Sequence, residues 1–160
     1  MLVRFTKNAP AARADTLTCV RPDGSSTQGE MPRQGILPHH AFHFVLEGTL
    51  GWHDALFGQL ARGATLDQVT PTLPSSALHR AKNTQARQSA ALVACLEATQ
   101  WGGAPDPAAF AENLVATCRR RHVPPPDIDA DELARVRLAL RAFGAAWRPL
   151  NPGQSLERTF

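Results

Sequence analysis

A chain of 160 residues, 43% hydrophobic and 19% charged, is long enough to bury a core without disulfide or metal staples. A net charge of +3, from 17 basic and 14 acidic residues, is too small an excess to mark a nucleic-acid binder by itself. The absence of Tyr and the 6% aromatic content leave few platforms on which single-stranded bases would stack.

The chain opens on Leu2-Val3-Arg4-Phe5-Thr6, an apolar–polar alternation that predicts a strand, with nothing of the basic-then-apolar build of a secretory signal. Asn8 to Ala14 reads as a loop around Pro10. Thr16 to Arg21 is rich in β-formers and predicts a second strand, and Pro22-Asp23-Gly24-Ser25 is a turn in which Pro presets φ and Gly accepts a positive one. Ser25 to Met31 returns as the polar arm of a hairpin.

Helical periodicity takes over near Leu37. A first helix is expected to run to about Thr49 and stop at Gly51, with Pro38 in its first turn. A second covers Trp52 to Arg62, with Leu56 and Leu60 as its apolar pair and Gly63 at its end. Thr65 onward is a loop or short turn through Pro71 and Pro74. Ser75 or Ser76 is expected to cap a long helix reaching Gln100 or Trp101, with Leu78, Ala81, Leu92, Cys95, Leu96 and Thr99 among its apolar positions, and Gly102-Gly103 ends it. Asp106-Pro107 opens a helix to about His122, its buried face given by Phe110, Leu114, Val115 and Cys118. After the stiff Pro124-Pro125-Pro126 spacer, Asp129 caps a helix from Ala130 to Trp147. There Leu133, Val136, Leu140, Phe143 and Trp147 recur at three- and four-residue spacings, a stripe for the core. Pro149 to Gly153 turns the chain into a last strand, Leu156 to Phe160. The fold expected is a single α+β domain over residues 1–160: a mostly helical body with a small antiparallel sheet formed by the N-terminal strand, the hairpin and the C-terminal strand.

The densest chemistry lies in the first helix. Leu37-Pro38-His39-His40-Ala41-Phe42-His43-Phe44-Val45-Leu46-Glu47 holds three of the six histidines within five residues. At about 100° per residue, His39, His43 and Glu47 share one strip at i, i+4 and i+8, with His40 at its edge. Two His at i, i+4 and a carboxylate one turn on are donors for a divalent metal such as zinc, and they would leave a position open for catalysis. The helix rise places Glu47 about 12 Å along the axis from His39, too far for both to reach one ion. Adjacent pairs are the comfortable ones, and a third ligand would come from His53, Asp54, His79, Glu97 or His122. The strip lacks the Glu of H-E-x-x-H because His40 stands in that place, so a thermolysin-like protease is not expected. The alternative is a buried His/Glu network that fixes this helix in the fold.

Residues 36–63 resemble a group of bacterial proteins with a Leu-Pro-His-Asp-x-x-His-Phe/Tyr-x-Val-Glu stretch and no established activity. Leu37-Pro38-His39, His43-Phe44 and Glu47 match that stretch, and Leu50-Gly51, Phe57-Gly58 and Gly63 match the glycine-rich part that follows. An early Thr18-Cys19-Val20-Arg21-Pro22-Asp23-Gly24 and a late Trp147 to Gly153 carry the likeness across nearly the whole chain. The resemblance implies a single-domain fold and no reaction. The chain departs from the pattern at His40, where the group has Asp, and any activity that needs this Asp is in doubt here.

Elsewhere, Arg119, Arg120 and Arg121 end a helix, where cations meet exposed carbonyls. With Arg135, Arg137, Arg141 and Arg148 they form the candidate basic face for a nucleic acid or an acidic partner. Trp52, Trp101 and Trp147 sit at helix boundaries as lids over the core. Cys19, Cys95 and Cys118 form no C-x-x-C pair, so reduced thiols in a cytoplasmic protein are expected. No P-loop, G-x-G-x-x-G or G-x-S-x-G is present. The functions expected are therefore a His/Glu metal or acid/base site on the first helix, performing metal-assisted hydrolysis if the protein is an enzyme, or a non-enzymatic module that binds a protein partner or a second copy of itself.

Overall fold

The computed structural model describes residues 1–33, 35–69, 83–99 and 106–160. Four strands make one antiparallel sheet: β1 (Leu2–Thr6), β2 (Ala14–Val20), β3 (Ser26–Pro32) and β4 (Ser155–Thr159), in the order β3-β2-β1-β4. Alternation decides which face is buried. Val3 and Phe5 on β1 point to the same side as Leu17 and Cys19 on β2, Met31 on β3 and Leu156 on β4, and all six are buried. Phe5 lies opposite Leu17 on one side and Leu156 on the other. The hairpin turn works as its residues predict. Gly24 takes φ +82°, and the Asp23 carboxylate accepts the Ser25 N–H at 2.9 Å. Hydrogen bonds from Ser25 hold the Asp23 carboxyl below its ordinary pKa.

Six helices are described: α1 (His39–Leu50), α2 (Leu56–Ala61), α3 (Leu66–Val69), α4 (Thr84–Ala98), α5 (Pro107–Arg120) and α6 (Ala130–Trp147). Eight consecutive residues of α1, His40 to Glu47, are buried, so this helix is covered on every side. It packs against α4 and α6 and reaches the sheet through aromatic edges. The Phe44 ring lies 5.5 Å from Phe5 and 5.3 Å from Phe57, both edge-on. Phe143 of α6 closes the same cluster, 5.0 Å from Phe5.

The last helix follows its pattern, with Leu133 at its start only partly buried. Asp129 and Glu132 form a reciprocal capping box, and Val136, Leu140, Phe143 and Trp147 are buried. Burial of each such side chain contributes about 1.5–3 kcal/mol.

Several boundaries differ from those the sequence suggests. β2 begins at Ala14, inside the expected loop, because Asp15 pairs with Met31 while its carboxylate takes the Asn8 N–H and the Arg33 guanidinium. Pro38 stands at the N-cap in extended conformation, one residue before the first turn. The second helix is only six residues long, since residues 52–55 form the approach to it. The described part of α4 starts at an Asn83 cap whose side chain accepts the Ala86 N–H, whereas Ser75, Ser76, Leu78, Ala81, Trp101 and Gly102-Gly103 fall outside the described residues. Val115 is 44% exposed, and α5 instead buries Phe110, Thr117 and Cys118. That helix ends with His122 at φ +52°, followed by Val123 N–H donating to the Cys118 carbonyl at 3.1 Å. Among the described residues no helix is long and apolar enough to cross a membrane.

Candidate functional site

Glu47 is completely buried, on the last full turn of α1. Gly51 adopts the left-handed conformation that ends the helix, and Trp52 N–H donates to the Glu47 carbonyl at 2.9 Å. The chain then doubles back and brings the start of α2 over the Glu47 side chain. Its Oε1 accepts Leu56 N–H at 3.1 Å and its Oε2 accepts Phe57 N–H at 2.7 Å. Ala55, which stands at the N-cap of α2, has no side-chain oxygen to offer. Glu47 therefore caps that helix from a distance, taking two of the N–H groups that every helix start leaves unpaired.

Two side chains complete the carboxylate's shell. Ser89 Oγ of α4 donates to Glu47 Oε1 at 3.2 Å, and His43 Nδ1 lies 3.2 Å from the same oxygen and 3.0 Å from Ser89 Oγ. The consistent assignment has the His43 Nδ1–H donating and the Ser89 hydroxyl donating its own O–H to Glu47. Burying a carboxylate costs several kcal/mol unless donors replace water, and here four donors do so. The same geometry rules out a nucleophile relay through this trio. In such a relay the acid and the nucleophile hold opposite ring nitrogens, whereas Glu47 and Ser89 share Nδ1.

His39 turns elsewhere. Its Nδ1 is 2.8 Å from Glu97 Oε1 on α4, and the side chain is 41% exposed. The His39 and His43 rings meet edge to face at 5.0 Å. The helix strip thus separates into two His–carboxylate pairs, one buried and one at the surface. Of the third-ligand candidates among the described residues, only Glu97 is brought to the strip. His53 lies edge-on to Phe160 at 6.2 Å, and Asp54 is an exposed partner of Arg62. His122 ends α5, and His79 lies outside the described residues. Among the described residues no group of three His, Cys, Asp or Glu side chains is placed to hold a metal ion.

His40 sits beside these pairs, and its Nδ1 has no hydrogen-bond partner among the described residues. Burial, then the neighbouring His39 and His43, pushes its pKa down to about 3, so it is neutral at ordinary pH. The cysteines are buried and unpaired. Burial raises the Cys19 thiol to about 11 and also raises Cys118, which leaves neither as a ready thiolate.

The arginines divide by role. Arg119 and Arg120 are exposed at the end of α5, where Arg120 donates to Thr117 Oγ1 at 2.8 Å. Arg137 lies 4.8 Å over the Phe110 ring, and Arg135 approaches Glu132 at 3.9 Å. Arg148 bonds back to the Gly144 carbonyl.

Sequence reading missed Ser89 and Arg21. Ser89 had a signal: it is the polar member of the buried α4 stripe that continues through Leu92, Val93 and Leu96. Arg21 holds the far end of α2, donating from Nε to the Leu60 carbonyl at 2.6 Å and from Nη2 to the Ala64 carbonyl. Comparison of the chain with protein-family models, with curated proteins and with solved structures finds no match to any of them.

Proposed function

We propose that this chain is a non-enzymatic interaction protein in which the His39–His43–Glu47 strip is framework. One observation carries the reading: the Glu47 carboxylate is fully buried and already holds four donors, two of them backbone N–H groups of the next helix. A ligand carboxylate would have to give up those bonds to reach an ion. The test is elemental analysis of untagged protein, beside denaturant unfolding of His43→Ala. The expected result is no near-stoichiometric metal and a loss of about 1–3 kcal/mol in the variant, from the lost His43 hydrogen bonds to Glu47 and Ser89 and the cavity left by the buried ring. Zinc at near-stoichiometric level that disappears in His43→Ala would overturn it.

A second reading, a divalent-metal or acid/base site, is favoured by the surface pair. Glu97 fixes Nδ1 of a His39 that is 41% exposed, which leaves Nε2 available to take a proton or to hold zinc. Near-stoichiometric zinc that is lost in His39→Ala would decide for this metal reading. Three unpaired buried thiols support a cytoplasmic setting. If the chain belongs with the bacterial group that its Leu37–Glu47 stretch resembles, the Glu of that motif has the capping role there too. Binding of nucleic acid through Arg119, Arg120 and Arg121 has weaker support, because Arg137, which would extend that face, lies against the Phe110 ring within the protein.

A further inference from the structure

At the end of the sheet, where β1 runs out and α6 finishes, a cleft of 450 Å³ opens between the residues that enter α1 and the residues that leave α6. Its volume falls in the range of small-molecule sites, about 300–1,000 Å³. The floor is apolar. Leu37 and Trp147 line it and are themselves buried, and Ile36 beside them is 42% exposed. Among the described residues only two other large hydrophobic side chains, Val115 and Leu138, are exposed to a similar degree.

The rim is basic. Lys7, Arg33 and Arg148 stand against one carboxylate, Asp15. Asp15 is buried and consumed by Arg33, at 2.8 and 3.0 Å. Arg33 also spends Nη2 on the Asn8 and Ala9 carbonyls. The other two cations keep donors in hand. Lys7 Nζ uses one N–H on the Arg148 carbonyl at 3.1 Å while it sits 5.6 Å over the Trp147 ring. Arg148 uses only Nε, on the Gly144 carbonyl, and its terminal nitrogens bond no described residue.

We infer that this cleft binds a small organic acid, with the oxyanion bridging Lys7 and Arg148 and a compact apolar body lying over Ile36, Leu37 and Trp147. Two charge-bearing donor groups above an apolar floor fit an anion with an apolar part. A neutral ligand would leave both cations unanswered, and a bare inorganic anion would leave the floor wet. The inference does not depend on the role of Glu47, which lies in a different part of the fold.

The probe is 4-phenylbutyrate, titrated into ¹⁵N-labelled full-length protein and followed through the Trp147 indole and the Ile36 and Leu37 amide resonances. Saturable shifts at those positions are expected. Binding should be at least about tenfold weaker for 4-phenylbutanol, for inorganic phosphate, and for the Lys7→Gln/Arg148→Gln variant. Ile36→Ser, which removes apolar contact and touches neither cation, should also weaken it, with the unfolding midpoint of each variant checked beside it. Equal binding of the alcohol would show that charge is not read, and equal binding of phosphate that the floor is not. Either result, or no saturable shift at the cleft, overturns the inference.

Discussion

Glu47 shows how one buried charge can organise a chain. Its carbonyl ends α1 and its carboxylate starts α2, so the direction change between the two helices is set by a single residue. Two of the donors it satisfies are backbone N–H groups, which any residue would offer at positions 56 and 57. A third, Ser89, is 46 residues from its partner His43. None of this leaves a local signature, which is why the strip reads in sequence as a set of metal ligands. The i, i+4 spacing of His43 and Glu47 was legible, and the two do bond.

His40 gives a pH test at the same scale. Its folded pKa, about 3, lies below the ordinary value of 6.5. Unfolding therefore takes up a proton between these values, and stability falls as pH drops from about 6.5 toward 3, by about 1.4 kcal/mol per pH unit. Between pH 7 and pH 5, denaturant unfolding of His40→Leu should lose about 2 kcal/mol less than the wild type. Equal losses would mean that His40 is not the group held neutral.

At the scale of elements, α2 is the instructive case. Six residues are too few for a helix to be stable alone. Glu47 holds its first N–H groups and Arg21 the Leu60 carbonyl near its end, so both ends are fixed by distant residues. Sequence periodicity over Trp52 to Arg62 predicts a longer helix because it registers the apolar residues and not the approach. That approach is tight: a Cβ added at Gly58 would lie 1.8 Å from the His53 carbonyl oxygen. Gly58→Ala should therefore cost about 3 kcal/mol or more, since only a backbone shift relieves the clash. A thermal midpoint close to that of the wild type would refute this packing. The last two helices posed no such problem. Asp129 with Glu132, and Asp106 before Pro107, mark their starts through contacts within four residues, and the structure places both helices there.

At the scale of the molecule, the sheet and the helical body meet at α1. Phe44 joins the rings of Phe5, Phe57, Phe143 and Phe160, which brings the first strand, α2, α6 and the C-terminal residue into one cluster. The α+β class and the pairing of first and last strands were legible because alternation and turn chemistry are local, and β1 does pair with β4. The all-round burial of α1 was less so, since its three histidines and one glutamate disguise a core helix as an amphipathic one.

The most direct measurement is the unfolding free energy of Glu47→Gln. The amide nitrogen would stand either against the Phe57 N–H, in place of Oε2, or against the Leu56 N–H and His43, in place of Oε1, so in both orientations a buried hydrogen bond becomes a donor–donor contact. A framework role predicts a cooperative transition at lower denaturant, with a loss of about 2–4 kcal/mol. Residues kept for binding or catalysis tend to be neutral or stabilising when replaced. A Glu47→Gln protein as stable as the wild type, or more stable, would contradict the framework role and return Glu47 to the list of candidate ligands.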